Sequence, residues 1–341
     1  MSFWTWFGNT SPSVAYHGDL SIFSLDSHDF WVSNILKWTL IILSFLSVLV
    51  LWIYKRPIGY NYHNQYLLRT KKHNFLIQLS GVIVLICVLL RSILLIGTNF
   101  PNMWEALPLH YCRLMLVGFG LILMLKKLQW VKYLAMPSVL GAMMALSIPE
   151  LRVLYFYNGA DFDVIKNVIL VHGENIMNFT WKNYFFYDYF LAHIFVLLAP
   201  FVLGILFPFK WSFKDLNVTL GIFLGLITFF FVVNFLTNQY AKLEWKSNYF
   251  YLGYATVPLL QQFAPIIGRW PNILLWEYLL AILYIYLSTV IYLYQDAIIF
   301  QFKGGLRIIF RFSAKVDYFY ESYLDFKFSL SSFWYKQILK K

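Results

Sequence analysis

The sequence predicts an all-α, polytopic membrane protein of seven transmembrane helices, with the amino terminus outside and the carboxyl terminus inside. Three observations carry that prediction. Of 341 residues, 60% are hydrophobic and 13% charged, against about 45–50% and about 25% in an ordinary soluble domain. The apolar residues gather in runs long enough to cross a bilayer, and Lys and Arg are distributed unevenly between those runs. This composition excludes a soluble globular enzyme, a disordered chain and a disulfide scaffold. The two cysteines, Cys87 and Cys112, both fall within apolar runs, so they offer no disulfide framework. The first lysine is Lys37, so a cleavable leader with a basic start is not expected.

A helix that crosses a bilayer needs roughly 20 mainly apolar residues at ~1.5 Å each. Seven segments meet that requirement: 31–54, 75–97, 107–125, 133–148, 185–207, 218–237 and 273–294. The fourth is the shortest and contains Pro137. The apolar stretch 164–172 is too short to span and is predicted to lie along the membrane surface. The chain thus divides into an extracytoplasmic segment (1–30), a membrane domain (31–295) and a basic, aromatic tail (296–341).

The loops set the orientation. Segments 55–73, 126–132, 207–216 and 296–341 together hold 18 Lys and Arg, whereas 1–30, 98–106, 149–184 and 238–273 hold 6. Cytoplasmic loops carry the Lys/Arg excess, which places the first group inside and makes the chain a multi-pass protein of the cell membrane. In the tail, Phe310-Arg311-Phe312 and Phe333-Trp334-Tyr335 interleave aromatic with basic residues. Directly after a span, that pattern reads as an interfacial helix on anionic inner-leaflet lipid rather than as a nucleic-acid site.

Charged groups inside a span cost about 2.5–3.5 kcal/mol each at mid-helix, so each needs a reason. Here they are Lys37, Arg91, His110, Arg113, Asp188, His193 and Glu277, with Cys112 and Asn234 beside them. Lys37, near the outer end of its span, can extend to the headgroups. Measured from the outer end, Arg91 lies roughly 9–13 Å deep and His193 about 12 Å. Cys112 and Arg113 lie about 7–9 Å deep, and Asn234 and Glu277 about 6 Å. All fall in the outer half, and the inner halves carry no Asp, Glu, Lys, Arg or His. That distribution suits a cavity opening outward. It also suits the simpler reading in which His110, Asp188 and Glu277 are solvated end residues and Arg91 pairs with Glu277 or Asp188 to join two helices.

The densest segment is Leu107-Pro108-Leu109-His110-Tyr111-Cys112-Arg113. Pro108 fits a helix first turn. His110 and Cys112 are about 200° apart around a helix, so a base for Cys112 must come from another helix, and His193 is the other histidine within a span. A neighbouring Arg113 favours a thiolate and also suits a phosphate. A thiol and an imidazole together support acyl transfer through a thioester, with Asn234 or His110 as carbonyl-orienting donors. Cys87 lacks such a setting and is expected to be a packed small hydrophobe. No close-spaced pair of metal ligands is present, and no metal or other cofactor is expected.

Trp104-Glu105-Ala106-Leu107-Pro108-Leu109-His110-Tyr111-Cys112 resembles the W-E…LPLHLC stretch of the YwaF-type integral membrane family. That family includes bacterial proteins of unassigned role and a eukaryotic transmembrane branch of glycerophospholipid acyltransferases. Three further stretches follow the family pattern in order: Asp188-Tyr189-Phe190-Leu191-Ala192-His193; Val233-Asn234-Phe235-Leu236 with Asn248-Tyr249-Phe250-Tyr251-Leu252; and Gly268-Arg269-Trp270-Pro271. Tyr111 stands where the pattern usually has Leu, and Arg269 where it has Pro. The resemblance implies that His110, Cys112, His193, Asn234 and Asn248 occupy the family's polar positions, with Cys112 as the acyl-accepting nucleophile.

The expectation is therefore an acyltransferase or lipid-remodelling enzyme acting on a membrane phospholipid or other acylated substrate. Cys112, His193 and His110 would serve the chemistry, and Arg91, Arg113, Asn234, Asn248 and Glu277 would hold the substrate. The same polar set, with its two arginines, also suits a transporter or substrate-binding membrane subunit for a small anionic solute. In a third reading it only locks helices together.

Overall fold

A computed structural model describes residues 27–64, 71–97, 102–149, 151–156, 174–178, 181, 184–253, 266, 270–301 and 307–338. The predicted surface helix at 164–172, and Gly268 and Arg269 of the family pattern, lie outside the described residues.

The chain is a helical bundle. Its long helices are α1 (Ser27–Asn64), α2 (Lys71–Gly97), α3 (Tyr111–Met124), α4 (Val131–Ser147), α5 (Tyr184–Leu206), α6 (Phe213–Tyr240), α7 (Ile273–Tyr294) and α8 (Ala314–Ile338). Among the described residues six stretches are long and apolar enough to cross a membrane: within α1, within α2, Met103–Met124 including α3, and the whole of α5, α6 and α7. The predicted fourth span is α4, but its 17 residues, with Pro137 inside, reach only about 25 Å. The structure thus supports a multi-pass helical protein with six such stretches rather than the full count of seven.

Two small antiparallel hairpins were not anticipated. One pairs β1 (Arg152–Phe156) with β2 (Glu174–Asn178), and the other pairs β3 (Ile298–Gln301) with β4 (Arg307–Phe310).

Helix packing follows small residues. An added Cβ at Gly81 of α2 would come within 2.4 Å of the Met124 backbone nitrogen and 2.6 Å of the Gly120 carbonyl oxygen on α3. The absent side chain lets the two backbones touch. Gly141 of α4 does the same for a ring, since a Cβ there would meet Tyr111 at 2.0 Å. The core between the helices is aromatic, with Phe119, Phe186, Phe190, Phe230 and Tyr249 almost fully buried. Long apolar side chains on α1, α2 and α7 face outward, as helices surrounded by lipid require. Cys87 is one of those outward residues and is exposed. The expectation that it packs as a small hydrophobe is corrected, because its position on α2 turns away from α3.

One end of the bundle gathers the basic segments. Ser212 caps α6 in a reciprocal capping box with Asp215. Asp215 also binds Lys132 at 2.6 Å and the Tyr133 hydroxyl at 3.0 Å, joining the starts of α4 and α6. This cap starts α6 five residues before the predicted 218. Asp296 pairs with Lys55 of α1 at 2.6 Å and Lys315 of α8 at 2.8 Å. Helix α8 packs its Phe319, Tyr323 and Phe326 rings around Phe213.

Burial pushes the Asp296 carboxyl up, but hydrogen bonds from Lys315 and Lys55 outweigh it and hold the group below its ordinary value. A lowered folded-state pKa contributes stability that is complete above the unfolded value, about 4, and is lost as pH falls through the folded value. Protection of α8 from proteolysis should therefore be constant from pH 8 to about pH 5 and fall below about pH 4. Asp296→Asn should weaken protection at neutral pH and flatten that profile; an unchanged profile in the variant rejects the clamp. A second prediction concerns the glycine contacts. Gly81→Ala should cost about 1–3 kcal/mol by forcing α2 and α3 apart, read as a lower thermal midpoint in detergent. Gly225→Ala, with nothing within 4 Å, should be neutral or stabilising by about 0.5–1 kcal/mol.

Candidate functional site

The site grows from the start of α3. A short 3₁₀ turn, Met103–Ala106, leads into a turn at 107–110, and α3 begins at Tyr111 with His110 as its N-cap. Pro108 therefore lies in the preceding turn, not in the helix first turn as expected. Successive helical residues point about 100° apart, so Tyr111, Cys112 and Arg113 leave α3 in three directions.

Arg113 points to α5, where its Nη2 donates to the Asp188 carboxylate in a short contact and to the Asp188 carbonyl at 3.3 Å. Arg91 of α2 reaches the same carboxylate, with Nε donating to Oδ2 at 2.9 Å. Its Nη1 donates to the Glu105 carbonyl at 2.7 Å, and its Nη2 approaches Glu105 Oε2 at 3.4 Å. Two guanidinium groups thus face two carboxylates, a balanced set that joins α2, the 3₁₀ turn, α3 and α5. Asp188 is not a solvated end residue, and Arg91 pairs with Asp188 and Glu105, not with Glu277. All three Arg91 nitrogens are engaged, so holding a phosphate would require displacing a carboxylate. Arg113 keeps Nε and Nη1 without a hydrogen bond among the described residues.

His193 lies one turn beyond Tyr189 on α5 and is buried. Its Nδ1 is 2.6 Å from the Tyr189 carbonyl oxygen. A carbonyl can only accept, so Nδ1 carries the proton and Nε2 presents a lone pair. The Tyr189 ring lies against the imidazole at 4.2 Å, and its hydroxyl donates to the Ala145 carbonyl of α4 at 2.7 Å. Cys112 is buried at 4% exposure on α3, which packs against α5. The Arg113 guanidinium lies within electrostatic range of Cys112, His110 and His193. His110 packs between Trp104, at 6.3 Å, and Tyr251, at 5.4 Å.

Asn234 has a different use from the carbonyl-orienting role expected of it. Fully buried on α6, it accepts from Ser247 Oγ at 2.8 Å and the Tyr249 amide at 2.9 Å, and donates to the Tyr249 carbonyl at 2.7 Å. It therefore pins the 247–249 segment to α6. Asn248 accepts from the Gly253 amide at 2.8 Å and so shapes the turn in which Phe250 and Tyr251 adopt positive φ. The pinned Tyr249 donates its hydroxyl to the Trp104 carbonyl at 2.6 Å. Asn234 and Asn248 are thus positioning residues in this geometry, acting on the turn that holds His110.

Glu277 stands apart from the arginines. Among the described residues its half-buried carboxyl has no hydrogen bond or ion pair. Glu105, Tyr111 and Tyr249 were not foreseen as members of this polar layer. Charge balance was the available signal for Glu105, since two buried arginines require two carboxylates. Among the described residues no group of three or more His, Cys, Asp and Glu side chains is arranged to hold a metal.

Removing the shared anion leaves two buried guanidinium groups short of a counter-charge. Asp188→Asn should destabilise the protein by about 3–5 kcal/mol, measured by thermal unfolding in detergent, whereas Glu277→Gln should not destabilise it. Equal losses in the two variants would remove the distinction between the paired and the unpaired carboxyl.

Comparison with the curated proteins and with the solved structures found no match. A family model does match, that of the TMEM164 family, over residues 22–289. The matched region contains α1 to α6, α7 as far as residue 289 and every member of the polar layer described above. The chain belongs to the TMEM164 family.

Proposed function

We propose that the chain is a membrane-embedded acyltransferase or lipid-remodelling enzyme using Cys112 as its nucleophile. The observation that carries this reading is the orientation of His193: a neutral imidazole fixed through Nδ1, with Nε2 left as a base, on the helix packed against that of Cys112. Cys112 is the second residue of α3 and is buried on the helix that packs against α5. The YwaF-type pattern around Leu107–Cys112 supports the same assignment.

In the proposed reaction His193 Nε2 takes the Cys112 proton and the thiolate attacks the ester carbonyl of a phospholipid. The carbon–oxygen ester bond breaks, and the leaving alkoxide takes the proton from the imidazolium. A hydroxyl or amine acceptor then attacks the Cys112 thioester, its proton passing through His193, and the thiol is regenerated. Arg113, with two nitrogens uncommitted among the described residues, is the group suited to an anionic headgroup. His110, the N-cap two residues before the thiol, would orient the carbonyl in this reading. The polar layer lies at the bundle end opposite the basic segments. With the chain crossing seven times and its amino terminus outside, the reaction faces the extracytoplasmic leaflet, and α8 rests on anionic inner-leaflet lipid.

The same two Arg113 nitrogens also favour a second reading, a transporter or binding subunit for a small anionic solute. Purified protein in vesicles separates the two. Cys112→Ala should retain folding and lose acyl transfer, together with labelling by a thiol-reactive acyl probe, by several orders of magnitude. His193→Ala should lower acyl transfer by about 10²–10⁴-fold. Wild-type protein that takes up an anion but transfers no acyl group, with Cys112→Ala equally active, overturns the enzymatic reading.

A further inference from the structure

His193 presents a lone pair at Nε2 in only one orientation of its ring. Turning an imidazole over about its Cβ–Cγ bond exchanges Nδ1 with Cδ2, and the two-fold character of that torsion allows it. Here Nδ1 meets the Tyr189 carbonyl oxygen at 2.6 Å. That carbonyl lies one turn back in α5, where the helix already directs the His193 amide at it. The imidazole is therefore a second donor on an occupied acceptor, and a further support is needed to make this its sole arrangement.

The Tyr189 side chain is that support. Positions 189 and 193 share a face of α5, and the phenol ring lies against the imidazole with ring centres 4.2 Å apart. A ring in that place restrains its neighbour only if it cannot swing itself. Tyr189 is tied at its far end, where its hydroxyl donates to the Ala145 carbonyl of α4 at 2.7 Å. The sequence explains why that carbonyl is open. Its helical partner would be the amide of residue 149, which is Pro149 and has no N–H. Helix α4 ends at Ser147, with the Ile148 amide bonding back to Met144, and Ala145 is left to accept from the helix packed alongside. Pro149, Ala145, Tyr189 and His193 thus form one line of constraint, running from the end of α4 to the lone pair at Nε2.

We propose that Tyr189 is the positioning residue of His193: its hydroxyl, anchored on the carbonyl that Pro149 leaves open, selects the tautomer with the proton on Nδ1. The consequence for catalysis rests on the acyl-transfer reading above. The consequence for the tautomer does not.

The test is nitrogen NMR of the full chain, with isotope-labelled histidine rings, in lipid nanodiscs and mildly alkaline buffer. The His193 signals are identified by their loss in His193→Gln. The wild type should carry the proton on Nδ1 and none on Nε2. Tyr189→Phe, which keeps the ring and removes the hydroxyl, should show both tautomers. It should also lower kcat for acyl transfer about 10-fold with KM unchanged, a part of the 10²–10⁴-fold that a positioned general base contributes. Pro149→Ala supplies an amide that competes for the same carbonyl and should shift the spectrum in the same direction by less. Tyr284→Phe is the matched control, because that hydroxyl donates to the Met136 carbonyl in the first half of α4 at 3.0 Å. It should lower the thermal midpoint as Tyr189→Phe does and change neither tautomer nor kcat.

A wild-type proton on Nε2, a single unchanged tautomer in Tyr189→Phe, or the same mixture in Tyr284→Phe overturns the proposal. So does an unchanged kcat in Tyr189→Phe when Cys112→Ala has abolished transfer. If the wild type transfers no acyl group, the enzymatic reading fails by itself and the spectra still decide the positioning. Should Tyr189→Phe not fold, the spectra of the wild type and Pro149→Ala decide it.

Discussion

The carboxylate of Asp188 accepts from Arg91 and Arg113 at once, and the polar architecture of the bundle depends on that sharing. A single arginine inside a membrane helix is costly, and two close together repel each other. With Asp188 between them and Glu105 beside Arg91, the charges balance, and α2, α3 and α5 are held in one relative position. That position determines where the neighbours of these residues point. Cys112 precedes Arg113 by one residue on α3, and His193 lies five residues along α5 from Asp188. The ion network therefore acts on the proposed chemistry indirectly, by fixing the two helices that carry the thiol and the imidazole.

A second, uncharged network supports the first. Asn234 binds both the amide and the carbonyl of Tyr249, Tyr249 binds the Trp104 carbonyl, and Trp104 precedes Glu105. The turn that supplies Glu105 to Arg91 is thus held from α6 by a chain of neutral hydrogen bonds. Neutral groups are suited to this task because their desolvation is far cheaper than that of a charge. The opposite end of the bundle uses a different device. There Lys132–Asp215 and Lys55–Asp296–Lys315 bridge helix ends that are partly exposed, so each pair contributes modestly and the aromatic packing of α8 carries more of the docking.

Much of this could be read along the chain, and the limits are specific. Apolar runs located the long helices because a bilayer imposes length and composition on each span separately. The level of Arg91, Arg113, Asp188 and His193 followed from counting residues along helices of fixed rise. Partner choice did not follow. Arg91 had Asp188 and Glu277 as equally plausible carboxylates at similar depth, and only the azimuth of each helix about its own axis separates them. Glu105 was hidden because a loop carboxylate next to a span looks solvated until the loop folds back. Asn234 was recognised as a polar position, yet its role in holding residues 247–249 required the path of the chain after α6.

By itself the sequence determined the membrane setting, the helical class, the segregation of basic loops and the gathering of polar residues toward one end. Each is a property of single segments against a fixed solvent, lipid or water, and needs no knowledge of neighbours. Only the tertiary structure decided that Asp188 is shared, that among the described residues Glu277 and the Tyr111 hydroxyl are left unpaired, that Cys87 faces outward, and that two short hairpins accompany the helices. Those outcomes depend on how each helix is rotated and which glycine lets another approach. Rotation is set by the sum of many weak side-chain contacts, a quantity that no single stretch of sequence contains.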